Sequence, residues 1–207
     1  KAEKQTIMGG IPFIVSAPSG AGKTTLCKMA VDFFPELRHS VSYTTRRPRP
    51  GEVDGVDYRF VDDAGFDAMI GRAEFLEHAG VYGKRYGTSR LDLERLLSEG
   101  VDVLLEIDVQ GAEGARARFK GAVSVFILPP SLKACKDRLI GRGKDTPEEI
   151  QKRLRIAEAE IRKASDYDYI IINDRLEAAF ERLKSIVLAE RSRSSRMAEK
   201  VAGLFGD

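Results

Sequence analysis

The sequence is poor in the residues on which several kinds of functional site depend. Its 207 residues include only two cysteines and two histidines. Cys27 and Cys135 lie far apart without a metal-ligand spacing, which argues against a zinc site or a disulfide framework and favours buried, reduced thiols. His39 and His78 are too few for a histidine-based nucleophile or metal cluster, so we interpret both as structural.

An excess of one charge and long apolar runs are also absent. Lys and Arg total 34 against 32 Asp and Glu, for a formal net charge of +2, so no global field attracts nucleic acid or a membrane surface. No uncharged apolar run approaches the length that spans a bilayer. We therefore expect a cytoplasmic protein whose anion binding is local, with neither nucleic acid nor membrane as a partner.

Short apolar runs alternate with longer helical patterns along the chain. This alternation predicts an α/β fold with a doubly wound, mostly parallel sheet. A length of 207 residues suits one such domain with smaller mobile parts. The predicted strands are "IPFIV" at 11–15, "VDVLLEI" at 101–107, "AVSVFIL" at 122–128 and "YIII" at 169–172.

Helix-start signals stand between these runs. Thr146, Pro147 and Glu149 place an N-cap, a first-turn proline and a capping-box acid at their usual offsets, which predicts a helix from Pro147 onward. Asp174 and Glu177 repeat this pattern and predict the start of the C-terminal helix.

Two segments break the alternation. The stretch 40–90 is dense in Gly, Pro, Arg and Tyr, and it predicts a mixed α/β insert over 40–98. The charged, glycine-flanked segment "GRGKDTPEE" predicts a small helical lid over 141–156. The core domain would then comprise 1–39, 99–140 and 157–207.

Residues 17–25, "APSGAGKTT", match the phosphate-loop pattern except that Ala17 replaces its first glycine. The loop lies between a predicted strand and a predicted helix, a context that disfavours a chance glycine-rich turn. Its backbone N–H groups can bind phosphates, Lys23 can reach the terminal ones and Thr24 can bind Mg²⁺. Alanine fits at position 17 if its φ is negative. The triphosphate-binding candidates are Ala17, Pro18, Ser19, Gly20, Ala21, Gly22, Lys23, Thr24 and Thr25.

An arginine cluster in the predicted insert provides a second candidate anion site. Its members, Arg46, Arg47 and Arg49, are framed by prolines that reduce the entropy lost when the guanidiniums converge on one dianion. Tyr58 and Tyr86 add phenolic donors. An exposed basic turn is the alternative, and the prolines and tyrosines favour the anion site.

Six motifs occur in an order and spacing that resemble the guanylate kinases. They are "APSGAGKTT", "SYTTRRPRPGEVDGVDYRF", "FLEHAGVYGKRYGT", "LLEIDVQGA", "RLIGRG" and "IIND". The resemblance covers residues 11 to about 190. It implies a P-loop nucleoside monophosphate kinase that phosphorylates GMP, and dGMP as well, with ATP as donor and Mg²⁺ as cofactor, in purine nucleotide metabolism. It leaves open whether the protein is a monomer or a homodimer.

The resemblance assigns the insert to GMP. Guanine presents N1–H and N2–H₂ donors that suit a carboxylate, Glu77, and an O6 acceptor that suits the hydroxyls of Ser42 and Thr88. The remaining members would hold the monophosphate or lie near the base. The implied GMP-binding residues are Ser42, Arg46, Arg49, Tyr58, Glu77, Tyr86, Thr88 and Asp108.

The resemblance also implies which residues bind the triphosphate and its metal ion. Arg138 and Asn173 would contact adenine, and Glu106 or Asp108 would assist, through water, the Mg²⁺ bound by Thr24. The sequence departs from the family pattern at two positions besides Ala17. Glu106 stands where an aspartate is common, and Thr88 stands where serine is usual. The implied catalytic residues are Lys23, Arg46, Arg142 in the lid and Arg153 on the next helix.

Three other functions fit parts of this pattern. A protein-binding module could keep the shape of the GMP site, but it would not need the intact phosphate loop and lid arginines. A kinase for another monophosphate is disfavoured by the three base-reading side chains. A GTP-hydrolysing switch is disfavoured because no "NKxD" segment follows downstream.

Overall fold

The computed structural model describes residues 9–81, 83–119, 121–141 and 146–206. Its strands are β1 (Pro12–Ser16), β2 (Leu37–His39), β3 (Tyr43–Thr44), β4 (Arg59–Phe60), β5 (Phe75–Val81), β6 (Lys84–Ser89), β7 (Asp102–Glu106), β8 (Val123–Leu128) and β9 (Tyr169–Ile172). Its helices are α1 (Lys23–Phe33), α2 (Asp63–Gly71), α3 (Arg90–Ser98), α4 (Val109–Arg118), α5 (Leu132–Gly141), α6 (Pro147–Ile161), α7 (Leu176–Arg191) and α8 (Ser194–Phe205), with a short 3-10 helix at Ala164–Asp166.

The main sheet has five strands in the order β2-β7-β1-β8-β9, and every neighbouring pair is parallel. The strands β1, β7, β8 and β9 confirm the four predicted from apolar runs, each within one residue at either end. The three-residue strand β2 carries too short an apolar signal to be predicted. The α/β class with a doubly wound parallel sheet is therefore confirmed.

Both faces of the main sheet are covered by helices. Side chains alternate along β1, so that Phe13 and Val15 pack in one buried cluster with α1 and α7, while Ile14 packs in a second cluster with α3 and α4. The cysteines Cys27 and Cys135 are both fully buried, as the sequence predicts.

Residues 43–89 include a second, smaller sheet in the order β4-β3-β6-β5. The pair β3 and β4 is parallel, whereas β6 is antiparallel to both β3 and β5. Phe66 and Met69 of α2 pack against Phe75 to form its own small core. This mixed sheet agrees with the mixed insert expected from the Gly- and Pro-rich segment.

One predicted helix start is confirmed. The other lies within one residue of the observed start, but its predicted capping residue is wrong. Helix α6 begins at Pro147, with Thr146 and Glu149 in a reciprocal capping box. Helix α7 instead has Arg175 at its N-cap without a side-chain cap. Asp174 lies one residue too early, and its carboxylate accepts a hydrogen bond from the adjacent Arg175 N–H at 2.8 Å.

Among the helices of the described ranges, none combines the length and apolar composition that a membrane crossing requires.

Candidate functional site

The loop between β1 and α1 has the backbone of an anion-binding turn. Gly20 and Gly22 have φ values of 87° and 91°, a region that side chains rarely adopt. Ala73 is the only non-glycine with positive φ in the part of the chain that the structure describes, so Ala17 has the negative φ that alanine requires. Helix α1 begins at Lys23 with no acidic residue in its first turn, so its N-terminal N–H groups keep their positive potential.

The two polar side chains at the start of α1 reach the carboxyl end of β7. Lys23 Nζ donates to the Ile107 carbonyl at 2.9 Å, and Thr24 Oγ1 donates to Glu106 Oε1 at 2.5 Å. The other carboxylate oxygen, Oε2, lies 3.3 Å from His39 Nε2. Burial opposes ionisation of Glu106, but the contact with His39 and the nearby Lys23 and Thr24 lower its pKa overall.

Sequence reasoning treated His39 as structural and missed its contact with Glu106. A signal was available: His39 ends β2, which lies parallel to β7, so the carboxyl ends of both strands reach the same edge of the sheet.

A cleft of about 800 Å³ lies beside the loop. One wall is formed by loop residues and Asp108, and another by the insert glycines Gly80 and Gly83. Helix α6 adds a third wall that the sequence did not reveal. It includes Glu160, whose pKa is raised to about 7 by burial and the Asp108 charge, against the opposing effect of Lys23.

The arginine cluster is organised by Glu52, a residue that sequence reasoning missed. Arg46 Nη2 donates to Glu52 Oε1 at 2.8 Å, and the Arg49 backbone N–H donates to Glu52 Oε2 at 2.7 Å. The Arg46 guanidinium carbon lies 5.2 Å from the centre of the Tyr58 ring, which is 6.0 Å from the Tyr86 ring. The structure therefore brings together four of the residues predicted to hold a monophosphate.

The predicted base-reading residues meet on the second sheet. Glu77 of β5 and Thr88 of β6 are direct cross-strand partners, and Thr88 Oγ1 donates to Glu77 Oε1 at 2.6 Å. On the other side of β6, the antiparallel strand β3 pairs Tyr43 with Gly87. The preceding residue, Ser42, therefore lies beside Thr88. Glu77 is only 7% exposed. Its burial, with the charge of Asp108, raises its pKa to about 7 despite the Thr88 hydrogen bond.

Helix α4 of the main domain closes over Glu77. A Cβ added at Gly111 would lie 2.6 Å from Glu77 Oε2, so the helix backbone approaches the carboxylate more closely than any side chain would permit. Asp108 caps this helix by accepting the Gly111 N–H at 2.7 Å. Glu77, the central residue of the predicted base site, is thus enclosed between the small sheet and α4.

The insert that carries the arginine cluster forms part of the same cleft as the phosphate loop, through Gly80 and Gly83. Burial raises the pKa of Tyr58 in the insert, and the negative charge of Glu106 in the main domain adds to that effect. Tyr58 is therefore within electrostatic range of the carboxylate that binds Thr24.

The remaining predicted residues lie on the far side of the loop or in the segment predicted to form a lid. Asn173 Nδ2 donates to the Ala21 carbonyl at 2.7 Å, and Arg138 Nη2 donates to the Asn173 carbonyl at 2.8 Å. Arg153 is half-buried on α6. Arg142 lies outside the described residues.

Comparisons with known proteins agree with this arrangement. The family model for guanylate kinase matches residues 10–190. A guanylate kinase of Geobacter sulfurreducens is 52% identical over 196 residues, covering 95% of this chain and 97% of that protein. The guanylate kinase of Geobacter metallireducens is 51% identical with the same coverage. A crystal structure of guanylate kinase from Anaplasma phagocytophilum has a TM-score of 0.77 and 33% identity, covering 97% of both chains. With its family model matched over most of its length, the chain belongs to the guanylate kinase family.

Proposed function

We propose that the protein is a phosphotransferase that moves the γ-phosphoryl group of ATP to GMP, and also to dGMP. The observation that carries this proposal is a phosphate loop facing an insert that holds both an arginine cluster and a buried carboxylate–hydroxyl pair. The loop suits a triphosphate, and the insert suits a purine monophosphate with two donors on its base edge.

Guanine recognition rests on Glu77 in our proposal. Its carboxylate accepts hydrogen bonds from guanine N1–H and N2–H₂, while Ser42 and Thr88 donate to O6. The Thr88 hydroxyl donates to Glu77 in the structure, so it satisfies this buried acid until the base binds. Adenine would present its N6 amino group to the hydroxyl donors. It would also leave the carboxylate without both of its partners, because adenine N1 is an acceptor and its C2 carries no amino group. These unpaired groups are the basis of discrimination.

The monophosphate is held by Arg46, Arg49, Tyr58 and Tyr86. Glu52 supports this assignment because it fixes the Arg46 guanidinium and the Arg49 backbone before any substrate binds. A preorganised guanidinium loses less entropy when it pairs with a phosphate. The Arg49 side chain is exposed, and no acidic partner contacts its guanidinium within the described ranges.

The triphosphate binds the loop, with Lys23 on its terminal phosphates. The oxygen ligands present fit Mg²⁺, because the Thr24 hydroxyl and the Glu106 carboxylate meet at 2.5 Å and are hard donors. Thr24 would bind the ion directly, and Glu106 or Asp108 would do so through water. When bound, Mg²⁺ neutralises phosphate charge.

Catalysis needs positioning and charge stabilisation more than proton transfer. The GMP phosphate is already anionic near neutral pH, so no general base has to activate it, in keeping with the scarcity of histidine. The cationic groups that stabilise the in-line transfer are Lys23 and Arg46, joined by Arg142 and Arg153 from the lid region.

We further propose that 40–98 and 141–156 move as an insert and a lid relative to the core formed by 1–39, 99–140 and 157–207. Closure would exclude water and so limit hydrolysis of ATP. We place this activity in the cytoplasm, in purine nucleotide metabolism.

A coupled assay tests the function directly. The protein is incubated with ATP and Mg²⁺ and with GMP, AMP, UMP or dTMP as the acceptor. We expect GDP formation with GMP to exceed every other reaction by orders of magnitude. Turnover of AMP or dTMP without turnover of GMP would refute the base assignment.

A further inference from the structure

The phosphate loop is supported from the side that faces away from the cleft. Arg138 of α5 and Asn173 at the end of β9 converge on one loop atom, the Ala21 carbonyl oxygen, at 3.4 Å from Arg138 Nη1 and 2.7 Å from Asn173 Nδ2. The second Arg138 nitrogen, Nη2, donates to the Asn173 carbonyl at 2.8 Å. The two side chains therefore form a connected bracket around a single peptide group.

The loop backbone lies in direct contact with this bracket. A Cβ added at Gly22 would lie 2.5 Å from Asn173 Nδ2. A second support acts two residues earlier in the loop, where the Cys135 thiol of α5 donates to the Ser19 carbonyl at 2.7 Å. Asn173 is only 4% exposed, so its amide is directed at the loop and is poorly accessible to a ligand.

Because the peptide bond is planar and trans, holding the Ala21 carbonyl also fixes the direction of the next backbone N–H, which can bind phosphate. The C=O and the N–H of one peptide group point in opposite directions. Holding the Ala21 carbonyl against Asn173 therefore turns the Gly22 N–H to the other side of the loop. Gly22 itself lines the cleft, as do Ser19 and Gly20.

We propose that Asn173 and Arg138 are positioning residues that orient the phosphate-binding N–H groups of the loop, and that they act on the triphosphate irrespective of its base. The inference rests on the proposed function for its ligand, the triphosphate. It differs from the adenine contact expected from the family resemblance, because both side chains donate hydrogen bonds to the protein backbone at the loop.

Inorganic tripolyphosphate separates the two roles because it has no base. We would measure the Mg²⁺-dependent binding of ATP, GTP and tripolyphosphate to the full chain and to Asn173→Ala by calorimetry. Loss of one buried hydrogen bond should weaken all three ligands by a similar factor of about 3 to 10. Binding of GMP should be unchanged, and Asn173→Ser, which keeps a donor, should recover part of the loss.

Asp174→Ala is the matched control, because this neighbouring side chain is exposed and accepts from the adjacent Arg175 backbone N–H rather than contacting the loop. If Asn173→Ala does not fold, Arg138→Gln carries the same expectation for the three ligands. A loss for ATP alone, or unchanged affinity for tripolyphosphate, would overturn the proposal. The proposed function fails separately, if the unmodified protein binds all three ligands but makes no GDP.

Discussion

Replacement of Glu77 by glutamine tests the proposed recognition of guanine most directly. The amide is nearly isosteric, so the packing against Gly111 is kept, but it has one acceptor oxygen where the carboxylate has two. One of these two oxygens already accepts from Thr88 at 2.6 Å. A glutamine that keeps this contact would turn its NH₂ group toward the guanine donors.

The expected loss follows from the burial of this site. Glu77 is 7% exposed, so water cannot replace the lost acceptor. A hydrogen bond to a buried charged group is worth about 1.5 to 3 kcal/mol. At 1.36 kcal/mol for each factor of ten, this corresponds to roughly a 10- to 150-fold decrease in kcat/KM for GMP.

Steady-state kinetics with GMP as the varied substrate measure this decrease, and the KM for ATP serves as the internal reference because the phosphate loop is unchanged. Glu74→Gln is a matched control, since it removes a carboxylate just before β5 that is paired with Arg72 and lies outside the pocket. The reasoning is refuted if Glu77→Gln lowers kcat/KM for GMP by less than about threefold, or if the KM for ATP changes by the same factor.

Three further predictions concern the phosphate loop, the buried carboxylate and a helix cap. Lys23→Ala should nearly abolish GDP formation while the Kd for GMP, measured by calorimetry, stays within about twofold, because Lys23 acts on the triphosphate. Guanosine, which has no phosphate to titrate, should bind about tenfold more weakly at pH 6 than at pH 8, because the pKa of Glu77 is about 7 and only its ionised form accepts both base donors. An affinity that does not change with pH would contradict this, and Glu77→Gln should remove the pH dependence. Thr146→Ala breaks the capping box of α6 and should lower the free energy of unfolding by about 1 kcal/mol in a urea titration, with full activity at low temperature retained if the cap is purely structural.

Local patterns in the sequence were sufficient to predict the core of the fold. The apolar runs that became β1, β7 and β8 are almost entirely buried, so their composition alone marks them. The edge strand β9 buries only Ile171, but its run of isoleucines still favours a strand. The capping box at Thr146 is equally local, because its two partners are three residues apart. The cap predicted at Asp174 failed because a side chain can satisfy a nearby N–H in several ways, and here the Asp174 carboxylate accepts from the adjacent Arg175 N–H.

Residues whose role depends on contacts across the fold were not predictable. Glu52 is six residues from Arg46 in a segment crowded with charges, and nothing local distinguishes it from an exposed acid. His39 meets Glu106 across 67 residues of sequence. Glu160 reaches the cleft only because α6 packs beside the loop. In each case the contact depends on how helices and strands pack together. Composition and periodicity of the sequence do not predict that packing.

The motif "LLEIDVQGA" shows why a short sequence signature can predict a two-substrate site. Glu106 binds the Thr24 hydroxyl at the start of α1, and two residues later Asp108 caps α4. Three residues further, the Gly111 backbone closes over Glu77. The triphosphate side and the base pocket are therefore connected by six consecutive residues at one strand–helix junction.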